Sequence, residues 1–179
     1  MRTITLFSIV LLTISCQDET ISPDKIIYKD LGNITVDYYN PYRLDVDGDG
    51  NGDFVFSTSL LNNASGGHLQ FTFYPALANH VYAHRDEVVV LNPGDRISPD
   101  YDYTKWIQPL ATKTESDTEI YWHGAWMNAS NQYIGVRIKL SSNEDYHYGW
   151  IRVSFDKANE RLILHDLAYH SKAGEGMVI

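Results

Sequence analysis

Tyr148-Gly149-Trp150-Ile151-Arg152-Val153-Ser154-Phe155 alternates without a break. Gly149, Ile151, Val153 and Phe155 fall on one side, and Trp150, Arg152 and Ser154 on the other. A period of two is the signature of a strand with one buried face. Tyr133 to Leu140 repeats the pattern upstream, with Ile134, Val136, Ile138 and Leu140 inward and Gly135, Arg137 and Lys139 outward. Arg161 to Tyr169 repeats it downstream. Ser141 to Asp145 and Asp156 to Glu160 are polar enough to be the turns between them. Three successive antiparallel strands form a meander. The expected fold is therefore all-β, a single antiparallel β-sandwich of jelly-roll-like type. No segment carries a sustained 3.6-residue apolar period, so little helix is expected.

Working back toward the start, Ser98 to Thr118 reads as irregular, with Pro99, Pro109 and scattered charge. Asn92-Pro93-Gly94-Asp95 reads as a turn after a short apolar strand from Glu87 to Leu91. His68 to Tyr74 alternates, with Leu69, Phe71 and Phe73 on one side, and follows a loop at Asn62 to Gly67. Lys25 to Tyr28 and Ile34 to Tyr39 read as two strands separated by Gly32-Asn33.

Between Tyr42-Arg43-Leu44 and Phe54-Val55-Phe56-Ser57, both β-prone, lies Asp45-Val46-Asp47-Gly48-Asp49-Gly50-Asn51-Gly52-Asp53. Calcium takes six to eight oxygen ligands at roughly 2.3–2.6 Å. Asp45, Asp47 and Asp49 occupy the first, third and fifth loop positions. Gly50 occupies the sixth, where the chain turns sharply. Asn51, seventh, would offer its backbone carbonyl. Asp53, ninth, would complete the shell directly or through water. The twelfth position is Phe56 rather than the bidentate Glu of an EF-hand, and the flanks are strands rather than helices. The pattern resembles the calcium loops of integrin-type β-repeat proteins, but one copy does not build a propeller. Without a cation, four aspartates within nine residues repel one another. The expected cofactor is Ca2+, with a structural role.

Met1-Arg2, the apolar run from Ile4 to Ile14 and Ser15-Cys16 resemble a bacterial lipoprotein signal. The apolar run is too short for a membrane span of about 20 residues. This divides the chain into a signal peptide at 1–15, a lipidated Cys16 with a polar tether at 16–25, and a β-sandwich domain at 26–179. Gln17-Asp18-Glu19 resembles the surface-export signal of lipoproteins in Bacteroidota-type bacteria. The expected location is the outer membrane or cell surface, with membrane contact only through the lipid anchor. Cys16 is the single cysteine, so no intramolecular disulfide forms. Losing Arg2 with the leader leaves 13 basic against 23 acidic residues. That balance argues against nucleic acid as a partner.

Tyr133-Ile134-Gly135-Val136-Arg137, His147-Tyr148-Gly149-Trp150-Ile151-Arg152-Val153 and His165-Asp166-Leu167-Ala168-Tyr169, placed after an Asp-rich loop, resemble a family of uncharacterised secreted bacterial proteins. Some of its members are sorted by PEP-CTERM-type anchors. The resemblance spans Val36 to Tyr169. It implies an extracytoplasmic β-sandwich and supplies no activity.

Four tryptophans and 13 tyrosines suit either a sandwich core or sugar stacking. Trp150 is the foremost ligand-binding candidate because its parity sets it opposite Ile151 and Val153. Trp122 and Trp126 follow, with Trp106 as the fourth. Glu87, Glu119 and Asp166 are the carboxylates available for glycoside hydrolysis, and their spacing selects no pair. Asp166, among apolar residues, is expected to be a buried carboxylate satisfied by Arg or backbone. His80, His84 and Asp86 offer a weak zinc set without a third spaced ligand. His147 and His165 are expected as a cross-strand pair. No catalytic residue is assigned. The reading that results is a non-enzymatic binding role toward an extracellular glycan or protein. A carbohydrate-active enzyme and a structural or assembly component of the cell surface are the alternatives.

Overall fold

The computed structural model describes residues 25–64, 66–140 and 145–179. The signal peptide, Cys16, most of the tether and four residues of the Ser141 to Asp145 turn lie outside the described residues. Fourteen strands are described: β1 (Ile26–Val36), β2 (Tyr42–Leu44), β3 (Phe54–Asn63), β4 (Gly66–Pro75), β5 (His80–His84), β6 (Glu87–Val88), β7 (Arg96–Ile97), β8 (Tyr103–Thr104), β9 (Ala111–Glu115), β10 (Ile120–His123), β11 (Gln132–Ile138), β12 (His147–Asp156), β13 (Arg161–His170) and β14 (Met177–Val178). Among the described residues there is no helix.

Two antiparallel sheets pack against one another. The first runs β1-β13-β12-β11-β5-β6, with β8 also paired to β5. The second runs β10-β9-β4-β3-β2. The β11-β12-β13 meander read from the alternation is present in the first sheet. The apolar parity of these strands points Ile134, Val136, Ile151, Val153, Leu162 and Leu164 at the second sheet, whose inward residues are Phe54, Phe56, Phe71 and Phe73. Phe73 stacks on Phe56 at 4.6 Å, and Phe71 meets Phe155 of the opposite sheet edge-on at 4.9 Å. Burying each such side chain contributes roughly 1.5–3 kcal/mol.

A smaller cluster of Leu91, Ile97, Tyr148, Ala168 and Met177 lies apart from this core. It is assembled where the β7–β14 pair and the loops around it cover part of the outer face of the first sheet. On the rest of that face Tyr28 is exposed, while Trp150, Arg152 and Ser154 are half-buried.

Several local expectations need correction. Lys25–Tyr28 and Ile34–Tyr39 are not two strands. They are one strand, β1, irregular between Asp30 and Ile34, which pairs with β13 on both sides of the irregularity. It ends at Val36, because Asp37 bonds Asn40 to close a turn around Tyr38 and Tyr39. The region taken as irregular contains β9, which joins β4 and β10. Its alternation, Ala111, Thr112, Lys113, Thr114, Glu115, uses threonines that are buried, so an apolar pattern does not reveal it. Glu87 to Leu91 shrinks to the two-residue β6 plus a bridge from Leu91 to Tyr133. The turn at Asn92–Asp95 is as expected, with Asp95 N–H donating to the Asn92 carbonyl at 3.1 Å.

His147 and His165 are not a cross-strand pair. β12 sets Gly149 opposite Tyr169, and the register then shifts between Arg152 and Val153. Asp166 faces Arg152 and Leu164 faces Val153, so His165 is the extra residue of a bulge. His147 instead bonds the His170 carbonyl through Nδ1 at 2.9 Å.

Candidate metal centre and binding faces

The Asp-rich loop joins β2 to β3, which pair as Tyr42 with Phe56 and Leu44 with Phe54. The strand-loop-strand reading therefore holds. Leu44 and Phe54 are fully buried, so the core clamps both ends of the loop. Between them Gly48 and Gly50 take left-handed φ values of 83° and 88°, which only glycine adopts without cost. These two turns fold the loop back on its own carboxylates. Asp45 accepts N–H bonds from Gly48 at 2.6 Å and Gly50 at 2.9 Å. Asp47 accepts from Asp49 N–H, and Asp49 accepts from Asn51 N–H.

One oxygen from each of Asp45, Asp47 and Asp49 lies within 4.8 Å of the others, and this group could hold a metal ion. The Gly50 N–H foremost, with that of Gly48 and the nearby Lys29 ammonium, holds the Asp45 carboxyl below the usual carboxylate range. The donor set is therefore anionic, hard and convergent, as an oxygen-seeking cation requires.

The remaining two predicted ligands sit differently. Asn51 lies at the loop rim and donates its side-chain amide to Asp49 at 3.0 Å. Asp53 is buried beneath the loop. Its Oδ2 accepts the Val46 N–H at 2.8 Å and its Oδ1 accepts the Asn79 amide at 2.8 Å. Burial raises its carboxyl, and the Asp47 and Asp45 charges push the same way. Asp53 thus staples the base of the loop and stands outside the three-carboxylate group.

The tryptophans separate clearly. Trp126 is 1% exposed and donates Nε1–H to the Val88 carbonyl at 2.9 Å. It is core, and a stacking role for it is ruled out by burial. Trp122 is half-buried against Phe71 and Phe155, so it closes the edge of the core. Trp106 is exposed. Trp150 is half-buried on the outer face of the first sheet, as its parity required. Tyr133 meets it edge-on at 5.0 Å and Tyr28 at 6.4 Å.

Beside this trio lies a charged pair. Arg152 donates Nε–H and Nη2–H to Asp166 at 2.8 and 2.5 Å, and the Tyr28 hydroxyl donates to Asp166 at 2.7 Å. Burial opposes the charge on Asp166, but the Arg152 and Tyr28 hydrogen bonds outweigh it and keep the carboxyl below its ordinary range. Asp166 is thus the satisfied buried carboxylate expected of it. Glu87 and Glu119 are both exposed, in β6 and in the turn before β10. His80 is half-buried on β5, while His84 and Asp86 are exposed. Burial first, with the Arg137 and Lys105 charges, pushes the His80 imidazole down to about 4. Among the described residues, the three aspartates are the grouping whose oxygens converge as metal ligands.

One concave site was not legible in the sequence. A cleft of about 480 Å³ is lined by Tyr38, Tyr39, Leu60, Leu69, Lys113, Glu115 and Glu160. Tyr39 is 85% exposed and stands edge-on to Tyr38. Lys113 bridges Glu115 at 3.0 Å and Glu160 at 2.9 Å. These residues come from five separate stretches of the chain, so no local motif announces them.

Fold and loop together define an all-β protein with a metal-type aspartate loop on a strand hairpin. No family model, curated protein or solved structure matches the chain.

Proposed function

We propose that this protein is a calcium-stabilised binding module, exported and carried on a bacterial surface by lipid on Cys16. The observation that carries the reading is the convergence of Asp45, Asp47 and Asp49 on one point of a hairpin loop. Three carboxylates and glycine-driven backbone turns suit a hard divalent cation, and calcium fits the flexible, oxygen-only donor set best. When bound, the ion neutralises the aspartates and ties β2 to β3. The ligand is a glycan. The Tyr38–Tyr39 cleft and the Trp150 face both pair aromatic rings with fixed polar groups, which is what a sugar ring requires on its apolar and hydroxyl sides.

The test is a thermal melt of the protein with calcium, with chelator and with a glycan panel. Calcium should raise the midpoint, chelator should lower it, and a glycan should raise it further. Tyr39→Ala and Trp150→Ala then tell which face the sugar uses. Chelator without effect rejects the metal reading. A calcium effect with no glycan response at any concentration tried rejects the ligand reading and leaves the metal one standing.

A further inference from the structure

Three backbone irregularities meet at one place on the outer face of the first sheet. β1 departs from regular pairing between Asp30 and Ile34, and Asn33 there has a left-handed φ of 60°. β13 bulges at His165. Asn131, just before β11, has a left-handed φ of 54°. Bulges and left-handed non-glycine residues cost energy and gather where a side chain must be aimed. Here they aim three side chains at one another. Ser154 Oγ is 2.8 Å from His165 Nε2, and His165 Nδ1 is 2.6 Å from Asn33 Oδ1.

The proton positions follow from the partners. Asn33 Oδ1 can only accept, so His165 Nδ1 carries the ring proton, and the Ser154 hydroxyl, which also accepts the Asn131 N–H at 2.8 Å, donates to Nε2. Nε2 is then the acceptor, and Nδ1–H donates to Asn33. This is the tautomer a general base needs. Burial first, then the Arg152 charge, lowers the imidazole pKa against a smaller opposing pull from Asp166, which leaves it neutral at pH 7. A nucleophile bonded to a base, and the base oriented by a third group, is the arrangement that activates serine on unrelated folds.

We propose that Ser154, His165 and Asn33 form a nucleophile, base and orienting group that hydrolyse a small carboxylic ester. Ser154 Oγ attacks the acyl carbonyl as its proton passes to His165 Nε2. The C–O bond to the alcohol breaks, and the departing alkoxide takes that proton. Water, deprotonated by the same Nε2, then attacks the acyl-serine, releasing the carboxylic acid and restoring Ser154. Arg152 is the electrophilic neighbour. Three of its five N–H donors hold Asp166 and Asn131, and we assign the remaining Nη hydrogens to the carbonyl oxygen. Esters suit this site better than amides, because an alkoxide is a better leaving group than an amide nitrogen and needs less help from the general acid. Trp150, Arg152 and Ser154 follow one another on one face at about 3.3 Å per residue. An acylated sugar resting on Trp150 would thus bring its ester to Ser154. Only that last step rests on the glycan reading.

The probes are a fluorophosphonate and p-nitrophenyl acetate on the intact protein, neither of which needs a sugar. The fluorophosphonate should label Ser154, located by peptide mass spectrometry, and Ser154→Ala should abolish it. His165→Gln, which keeps a hydrogen bond to Ser154, should slow both reactions by about 100-fold with an unchanged melting point. Asn33→Ala should lower the rate and shift its pH profile. Wild-type protein labelled no more than Ser154→Ala, or His165→Gln labelled as fast as wild type, overturns the proposal. Either result leaves glycan binding untouched.

Discussion

Asn79 reaches the Asp53 carboxylate with Nδ2 at 2.8 Å and accepts the Lys139 backbone N–H through Oδ1 at 2.8 Å. One buried amide thus ties the base of the aspartate loop, in the second sheet, to the end of β11 in the first. Asn79 is 1% exposed and Asp53 5%. Removing the amide takes one hydrogen bond from Asp53 Oδ1 and one from the Lys139 N–H together. Asn79→Ala should cost about 2–4 kcal/mol, because each group that loses this partner pays a desolvation penalty no longer offset by the bond. Urea unfolding measures it. A loss below about 0.5 kcal/mol would mean that water replaces the amide and that the two sheets are not joined there.

The loop itself makes a ligand-dependent prediction. Calcium at a hundred times its Kd should raise Tm by about 5–10 °C. Asp45→Asn and Asp47→Asn should lose that response. Asn51→Ala should keep most of it, since the loop asks only for the backbone carbonyl of residue 51. Calorimetric scans with and without chelator distinguish these cases. An Asp45→Asn protein that still responds to calcium would place the ion elsewhere.

Arg152 and Asp166 give a pH-dependent one. The folded carboxyl of Asp166 is held below its ordinary range, so the unfolded chain binds its proton more readily. The stability from this pair is therefore complete above the unfolded carboxylate pKa of about 3.9 and fades as pH falls through the folded value. Arg152→Ala at pH 7 leaves a buried charge unpaired and should cost about 3 kcal/mol. The same substitution should cost much less near pH 3, where Asp166 can fold protonated. A mutational cost that does not change with pH would show the pair to be packing rather than charge.

Gly149, in the Tyr-Gly-Trp block, sits where a Cβ would lie 2.4 Å from the Ala168 carbonyl oxygen and 2.7 Å from the Tyr169 Cβ. Gly149→Ala must push β12 away from β13 and should destabilise by about 1–3 kcal/mol. Its effect should spread to Trp150, and tryptophan fluorescence should change with it. Gly94→Ala meets no atom within 4 Å and is a control for the sterics, although its φ of 90° adds local strain.

Much of this molecule is legible one strand at a time. Ile134, Val136 and Ile138, or Ile151, Val153 and Phe155, state their buried face by parity, and parity is a property of consecutive residues. The aspartate spacing is equally local, and so is the strand character of Tyr42–Leu44 and Phe54–Ser57. Where buried residues are polar, as Thr112 and Thr114 are on the face of β9 that they share with Gln70 and His68, the same reasoning finds nothing. Trp126 shows the opposite failure. Its sequence neighbourhood does not distinguish core from surface; its burial comes from packing in the core, with Nε1–H held by the Val88 carbonyl 38 residues away.

Fold class, meander and hairpin loop can each be read from neighbouring residues, because each depends on side chains a few residues apart and on backbone sterics. Tertiary structure alone decided that Asp53 faces Asn79, that β1 is one strand with an irregularity, and that Ser154, His165 and Asn33 meet. The physical reason is register. Asn33 and His165 are 132 positions apart, and the bulges that bring them together shift one strand against another. Such a shift is set by the packing of whole sheets, which no short stretch of chain encodes.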